Sequence, residues 1–143
     1  MHRTALLLTL LSLSPAPVRA AEVTLVLEGL ESASGEVQVD VFAEAHAATF
    51  PYPEAGVLFE IRRPASAGAA IALGDFAPGR YAFFAMHDAN GNGDLDRNLL
   101  GVPTEGYGFS NDATGALGPP SFDAAAVRVG EKGPARVVIH LAH

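Results

Sequence analysis

Residues 87–98 carry oxygen-bearing side chains at the spacing of a calcium-binding loop. With Asp88 as position 1, side-chain oxygens recur at positions 3, 5 and 9, and a glycine occupies position 6, where such loops turn sharply. The backbone carbonyl at position 7 completes an oxygen set that suits a hard cation. The pattern predicts a Ca²⁺ site formed by Asp88, Asn90, Asn92, the carbonyl of Asp94, and Asp96.

The predicted loop departs from an EF-hand. Position 12, where an EF-hand places a bidentate glutamate, is Leu99, so the site must take another oxygen from Glu105, Asp112 or water. The apolar segment before the loop is typical of a buried strand, and the glycines and proline after it exclude a long second helix. The alternative interpretation is a tight turn without a metal, because Asn and Gly favour turns for backbone reasons alone.

The first twenty residues have the organisation of a signal peptide. A short basic start is followed by an apolar stretch over residues 5–13, and Val18 and Ala20 supply small residues at the −3 and −1 positions of a cleavage site. The apolar stretch is shorter than a membrane span, which disfavours an uncleaved anchor. We expect residues 1–20 to be removed and residues 21–143 to form one soluble domain, periplasmic or secreted.

The charge of the chain limits its partners. Removing Arg3 and Arg19 leaves seven basic residues against sixteen acidic ones, a net charge of −9 instead of −7. Nucleic acid and anionic lipid require clustered Lys and Arg, so we expect neither as a partner. No segment after residue 20 approaches the length of a membrane span, so we expect no membrane insertion after cleavage. The chain has no cysteine, so an exported domain must depend on its core, or on a metal, for stability.

Period-two alternation recurs along residues 21–143, whereas helical periodicity does not. The alternation predicts seven strands, of which the fifth, at residues 81–86, is apolar on both faces and therefore central. The predicted fold class is all-β, an antiparallel β-sandwich of immunoglobulin or transthyretin type. The other six strands are marked by Val23, Leu25 and Leu27; by Val37, Val39 and Val41, alternating with Glu36, Gln38 and Asp40; by Val57, Phe59 and Ile61; by Ile71 and Leu73; by Val127 and Val129; and by Val137, Ile139 and Leu141.

Residues 88–124 form a long connection between the fifth and sixth predicted strands. A connection of this length without secondary structure is usually functional or disordered. Its apolar content is too high for disorder, so we expect an ordered loop that folds over the sandwich. Its large apolar residues are Leu95, Leu99, Leu100, Val102, Tyr107, Phe109, Leu117 and Phe122.

Four segments combine into a long motif, at residues 87–96, 100–103, 105–111 and 118–122. The motif resembles the signature of a bacterial family of small exported proteins, a domain of unknown function numbered two-one-four-one. The segment from Asp75 to Tyr81, with its Pro-Gly turn, resembles the strand corner of transthyretin-like and carboxypeptidase-regulatory-like sandwich domains. The family resemblance implies an exported β-rich protein and supplies no established functional residues.

Two function classes are compatible with these residues. The first, which we expect, is a noncatalytic envelope protein whose calcium-stabilised loop binds a protein, peptide or glycan. The second is a hydrolase with His87 as general base, but the chain lacks a Gly-x-Ser-x-Gly motif. A serine hydroxyl within hydrogen-bond reach of His87 would favour it. Its other candidate groups are Asp88 or Asp112 as the orienting carboxylate and Ser110 or Ser121 as the nucleophile.

Overall fold

A computed structural model describes residues 18–130 and 133–143, so most of the predicted signal peptide, residues 1–17, lies outside the described residues. Within them, eight strands form two sheets, which confirms the all-β sandwich. The immunoglobulin or transthyretin type stays a prediction. The strands are β1 (Ala21–Glu28), β2 (Glu36–Ala43), β3 (Phe59–Pro64), β4 (Ala70–Phe76), β5 (Gly79–Asp88), β6 (Tyr107–Phe109), β7 (Val127–Val129) and β8 (Ala135–His140), and a four-residue helix α1 (Phe122–Ala125) precedes β7.

The small sheet has three strands in the order β4-β1-β8. The central strand β1 runs antiparallel to β4 and parallel to β8, where Val23 pairs with Ala135 and Glu28 pairs with His140. The sandwich is therefore antiparallel apart from this pair. Alternation along a strand sets which face is buried and does not set the direction of its neighbour, so the sequence contained no signal for the parallel pair.

The large sheet is built around β5. On one side β5 pairs with β2, which in turn pairs with β3. On the other side two short strands share the edge of β5, with β7 against residues 79–81 and β6 against residues 84–86. The central position predicted from the apolar run of this strand is confirmed.

Two clusters of buried side chains hold these elements together. The main core lies between the sheets and contains the alternating apolar residues of β1, β2, β5 and β8. The second cluster lies on the opposite face of β2 and β5 and is largely aromatic. Both faces of β2 are therefore covered. The second cluster consists of Phe42, Phe50, Ala82, Phe109, Phe122 and Ala125.

The eighth strand, β6, lies inside the segment that was expected to be one long loop. Only three residues form it, and the middle one is Gly108, so neither its length nor its pattern indicated a strand. A Cβ at Gly108 would stand 2.6 Å from Ile139 Cγ2 and 2.7 Å from the His140 carbonyl oxygen, so only glycine allows this approach to β8. The predicted third strand also begins later than expected, at Phe59 instead of Val57.

The strand corner before β5 is closed by a tyrosine. The Tyr81 hydroxyl donates to the carbonyl oxygen of Ala77 over 2.9 Å, which ties the start of β5 to the turn that precedes it. The corner fixes the start of β5, and the other end of β5 carries the polar loop at residues 88–98.

Along the described chain, no helix has the length and apolar character needed to cross a membrane.

Candidate functional site

The polar loop begins at Asp88, the last residue of β5. Its side chain is 1% exposed, and its carboxylate accepts three backbone hydrogen bonds from the loop. Oδ1 accepts from the N–H groups of Gly91 (2.8 Å) and Asn92 (3.1 Å), and Oδ2 accepts from that of Gly93 (2.7 Å). Both glycines have positive φ angles, 73° and 86°, which lets the backbone wrap around the carboxylate without strain.

Three further predicted ligands converge next to this turn. The side-chain amides of Asn90 and Asn92 donate to the two carboxylate oxygens of Asp96, the second over 2.9 Å. Each carboxamide oxygen in turn accepts a backbone N–H two residues later, at 3.0 Å for Asn90 and 2.9 Å for Asn92. The second of these N–H groups belongs to Asp94. The structure therefore brings the predicted loop residues together as one hydrogen-bonded unit.

Glu105 closes the loop from outside it. Its side chain is 9% exposed, Oε1 accepts the N–H of Ala89 over 2.9 Å, and Oε2 accepts the N–H of Asp96 over 3.1 Å. Of the two residues predicted to supply an additional oxygen, Glu105 reaches the loop. The other, Asp112, is instead bonded to His140.

The loop concentrates negative charge, and its two buried carboxylates form no close ion pair with the described residues. Within residues 18–130 and 133–143, no Lys, Arg or His nitrogen lies within 4.0 Å of the buried carboxylates of Asp88 or Glu105. The guanidinium of Arg62 approaches Gly93, but its Nε is bound to Glu60 at 2.6 Å. Backbone N–H groups satisfy both carboxylates, three at Asp88 and two at Glu105, and Arg62 adds a favourable charge interaction with Asp88.

The oxygen set suits Ca²⁺ in its chemistry, and the hydrogen bonds specify what binding would require. An ion would have to replace the two amide donors at Asp96, with Asn90 and Asn92 turning their carboxamide oxygens toward it. In the described part of the chain, no group of three or more His, Asp or Glu side chains is placed to hold a metal. A cation here would therefore depend on carboxamide and carbonyl oxygens as well as on carboxylates.

The groups of the hydrolase hypothesis have other partners. His87 is 3% exposed, and its Nε2 lies 2.8 Å from the carbonyl oxygen of Ser34. The buried hydroxyl of Ser110 donates to the Ala125 carbonyl and accepts the Phe83 N–H, so it joins β5 to the end of α1. The Ser121 hydroxyl caps α1. The serine contact that would favour an enzyme is not among the hydrogen bonds of the described residues.

Asp112 links the segment after β6 to β8. Its Oδ1 accepts the backbone N–H of His140 over 3.1 Å, and its Oδ2 lies 2.7 Å from Nδ1 of the same residue. The backbone hydrogen bond that Asp112 accepts lowers the pKa of its carboxyl group, and the hydrogen bond that the His140 ring donates to Asp112 raises the pKa of His140. Asn111 and Asp112 have positive φ angles of 59° and 47°, a conformation that non-glycine residues rarely adopt. The hydrogen bonds between Asp112 and His140 therefore stabilise an unusual turn.

The sequence pattern missed a buried polar pair on β2. Asp40 is fully buried and Gln38 is 6% exposed, and Nε2 of Gln38 lies 3.1 and 3.3 Å from the two Asp40 carboxylate oxygens. Burial raises the pKa of Asp40 to about 6, although the Gln38 hydrogen bond opposes this shift. Both side chains line a cavity of about 890 Å³ on the outer face of the large sheet. The sequence contained one signal that a segment of the chain covers these two side chains, which was the apolar content of residues 88–124.

The large apolar side chains of residues 88–124 divide into a buried group and an exposed group. Phe109 and Phe122 are buried in the second cluster, as expected, but Leu99, Leu100 and Leu117 are 106%, 87% and 104% exposed. The expectation that the whole segment buries its apolar side chains is therefore wrong for these leucines. The first two lie in a tight turn in which Asn98 Oδ1 accepts the N–H groups at positions 100 and 102. Grouped exposed apolar side chains are typical of interaction surfaces.

Comparison with known proteins identifies a family. A search of curated proteins and a search of solved structures each return no match to this chain. A family model described as an uncharacterized protein conserved in bacteria (DUF2141) matches residues 25–137, a range that contains the polar loop, the cavity floor and the exposed leucines. The chain belongs to this DUF2141 family, as its central motif predicted.

Proposed function

We propose that this protein is a noncatalytic, exported binding module of the bacterial cell envelope, in which calcium stabilises the loop that contacts a partner protein, peptide or glycan. One observation carries the proposal. The segment from the end of β5 to the start of β6 carries two buried carboxylates and two exposed apolar side chains, those of Asp88, Glu105, Leu99 and Leu100. An ion that rigidifies the polar part of this connection would also fix the apolar turn.

Export is supported by the position of the first strand. β1 begins at Ala21, directly after the predicted cleavage site, and the side chain of Ala21 is 4% exposed. Cleavage after Ala20 would therefore leave every described strand intact. The net negative charge of the remaining chain agrees with a cation as ligand.

Calcium titration of the purified protein tests the metal site. At a free Ca²⁺ concentration about ten times the dissociation constant, we expect the free energy of unfolding to rise by about 1.4 kcal/mol. Asp96→Ala should abolish this increment, because the Asp96 carboxylate is the point where both Asn side chains converge. Urea unfolding with and without calcium measures the change.

Asp75→Ala is the matched control for the titration, because it removes the same charge from an exposed position on β4 in the small sheet. This variant should keep the full response to calcium. An unfolding free energy that does not change with calcium, or an equal response of Asp75→Ala and Asp96→Ala, would contradict a metal site in the loop.

Site-specific photocrosslinking in cells tests the partner surface. A photoreactive amino acid at Leu99 or Leu100 should form covalent adducts, because both side chains are highly exposed. The same amino acid at Ala72, an exposed position on β4, should form none. The products are read by mass spectrometry. Adducts of equal yield from all three positions, or from none, would count against a binding surface in the loop.

A further inference from the structure

The cavity on the outer face of the large sheet has a floor and walls of different chemistry. Its floor contains Gln38 and Asp40 from β2, and Phe84 and Met86 from β5. Its walls come from residues 51–54, from the polar loop at residues 93–97, and from residues 112–120. Its volume of about 890 Å³ lies within the range of pockets that enclose small organic molecules.

The floor of this cavity lacks hydrogen-bond donors. The Oε1 atom of Gln38 is buried and has no partner among the described residues, and its Nε2 is shared between the two oxygens of Asp40. A carboxylate and a carboxamide oxygen together offer more acceptor positions than this one amide group satisfies. An unsatisfied buried acceptor is unfavourable, so the arrangement suits a ligand that brings N–H donors.

The charges around the cavity point to a positive ligand. Asp40, Glu54 and Asp94 line it, and none of these carboxylates has a basic nitrogen within 4.0 Å in the described chain. Of the two basic residues in the lining, His140 is paired with Asp112, whereas Arg97 donates to the neutral Gly101 carbonyl and keeps its positive charge. The lining therefore carries three unpaired carboxylates against one guanidinium, which leaves a net negative charge.

Aromatic side chains complete the lining. Tyr52, Phe84 and Tyr107 contribute to the walls and floor, and each is at least partly accessible. Aromatic faces bind apolar groups and also attract cations through the negative potential of the ring. An acidic floor with aromatic walls suits an organic cation better than it suits an anion or a purely apolar molecule.

We propose that this cavity binds the primary ammonium group of a small organic amine or of a lysine side chain, with Asp40 and Gln38 as acceptors and the aromatic side chains around the attached apolar portion. The three N–H donors of an ammonium group match in number the unpartnered Oε1 and the two carboxylate oxygens, and because Asp40 is fully buried, contact with it requires side chains at the cavity floor to move. Residues 93–97 of the calcium loop form one wall, so binding is measured both without and with calcium. Absence of binding in both conditions contradicts this proposal, whereas an unfolding free energy that does not change with calcium contradicts the metal site.

Calorimetry with three related probes tests the proposal. In calcium-free protein, 2-phenylethylammonium should bind about tenfold or more tightly than the neutral 2-phenylethanol, because only the ammonium pairs with the carboxylate. The anion 3-phenylpropanoate should not bind. A Gly-Lys-Gly peptide separates the two sources of the ammonium group: tighter binding of the peptide favours a lysine side chain, and tighter binding of the amine favours a free small molecule.

Two variants locate the binding. Asp40→Asn keeps the shape of the side chain and should weaken binding of 2-phenylethylammonium about tenfold or more, without unfolding the protein, because it removes a buried charge. Tyr52→Ala, in which a half-exposed ring of the wall is removed, should weaken binding several-fold. Asp75→Asn in the small sheet is the control and should bind like the unaltered protein.

The affinity should also depend on pH through Asp40. Since burial raises the pKa of Asp40 to about 6, lowering the pH from 7.5 to 5 should weaken binding about tenfold, because the carboxylate becomes protonated while the amine stays charged. Asp40→Asn should remove most of this dependence. The other charged groups near the carboxylate or in the cavity lining are Glu54, Glu60, Arg62, Asp94, Arg97, Asp112 and His140.

Three results would overturn the proposal. The first is equal affinity for 2-phenylethylammonium and 2-phenylethanol, which would make the cavity a purely apolar site. The second is unchanged amine binding in both Asp40→Asn and Tyr52→Ala. The third is binding of maltotriose without binding of either ammonium probe, which would assign the cavity to a sugar.

Discussion

Gly35→Ala should destabilise the protein by about 3 kcal/mol or more, the largest effect that we expect from a single added methyl group. A Cβ at this position would stand 2.0 Å from the Asp88 carbonyl oxygen and 2.7 Å from the Ala89 carbonyl carbon. Both are backbone atoms, which cannot move away by a rotamer change. The φ angle of 69° adds the strain of a left-handed conformation. Urea unfolding measures the loss.

Gly101→Ala separates the clash from the backbone strain. Its φ angle of 78° is similar, but no atom lies within 4 Å of the added Cβ, so we expect a cost of only about 1–2 kcal/mol. The difference between the two variants then measures the close approach of Gly35 to the end of β5. Similar losses in both variants would mean that this approach is not as tight as the structure describes.

Asp88→Ala should cost about 2–3 kcal/mol even in calcium-free buffer. The substitution removes the acceptor of three backbone N–H groups at once, and it does so at a position that is 1% exposed. Asp96→Ala should cost less than about 1 kcal/mol under the same conditions, because it accepts only from two side chains at the surface. Unfolding in the presence of a chelator provides the comparison.

These two aspartates therefore have different expected effects. In calcium-free buffer the loop should depend on Asp88, and in calcium both variants should lack the increment that the ion provides. If Asp88→Ala and Asp96→Ala unfold at the same urea concentration in chelator, then the carboxylate of Asp88 does not organise the loop in the way that its hydrogen bonds indicate.

Much of the fold follows from local patterns in the sequence. The alternation of Val23, Leu25 and Leu27 predicted β1, and the double-sided apolar run predicted the central place of β5. The sequence did not indicate that the polar face of β2 is buried. Alternation shows that Gln38 and Asp40 share a face, but the cover over that face comes from segments distant in the sequence.

The candidate site was predictable to a similar degree. The spacing of Asn90, Asn92 and Asp96 predicted their convergence, since a glycine-rich turn brings such residues together locally. Residue spacing could not decide whether Glu105 or Asp112 supplies the additional oxygen to the loop. It depends on how the chain returns to pair with β5, and the three-residue strand β6 that directs this return has too weak a pattern to be recognised.

The parallel pair of β1 and β8 has a consequence for the order in which the chain can fold. β1 is the middle strand of the small sheet, and its pairing with β8 joins residues that are more than a hundred positions apart. Contacts of such long sequence separation require a large loop to close, which slows folding. One edge of β1 stays without its partner until β8 has been synthesised. The small sheet can therefore be completed only after β8 has joined it, so the finished sandwich depends on both ends of the described chain.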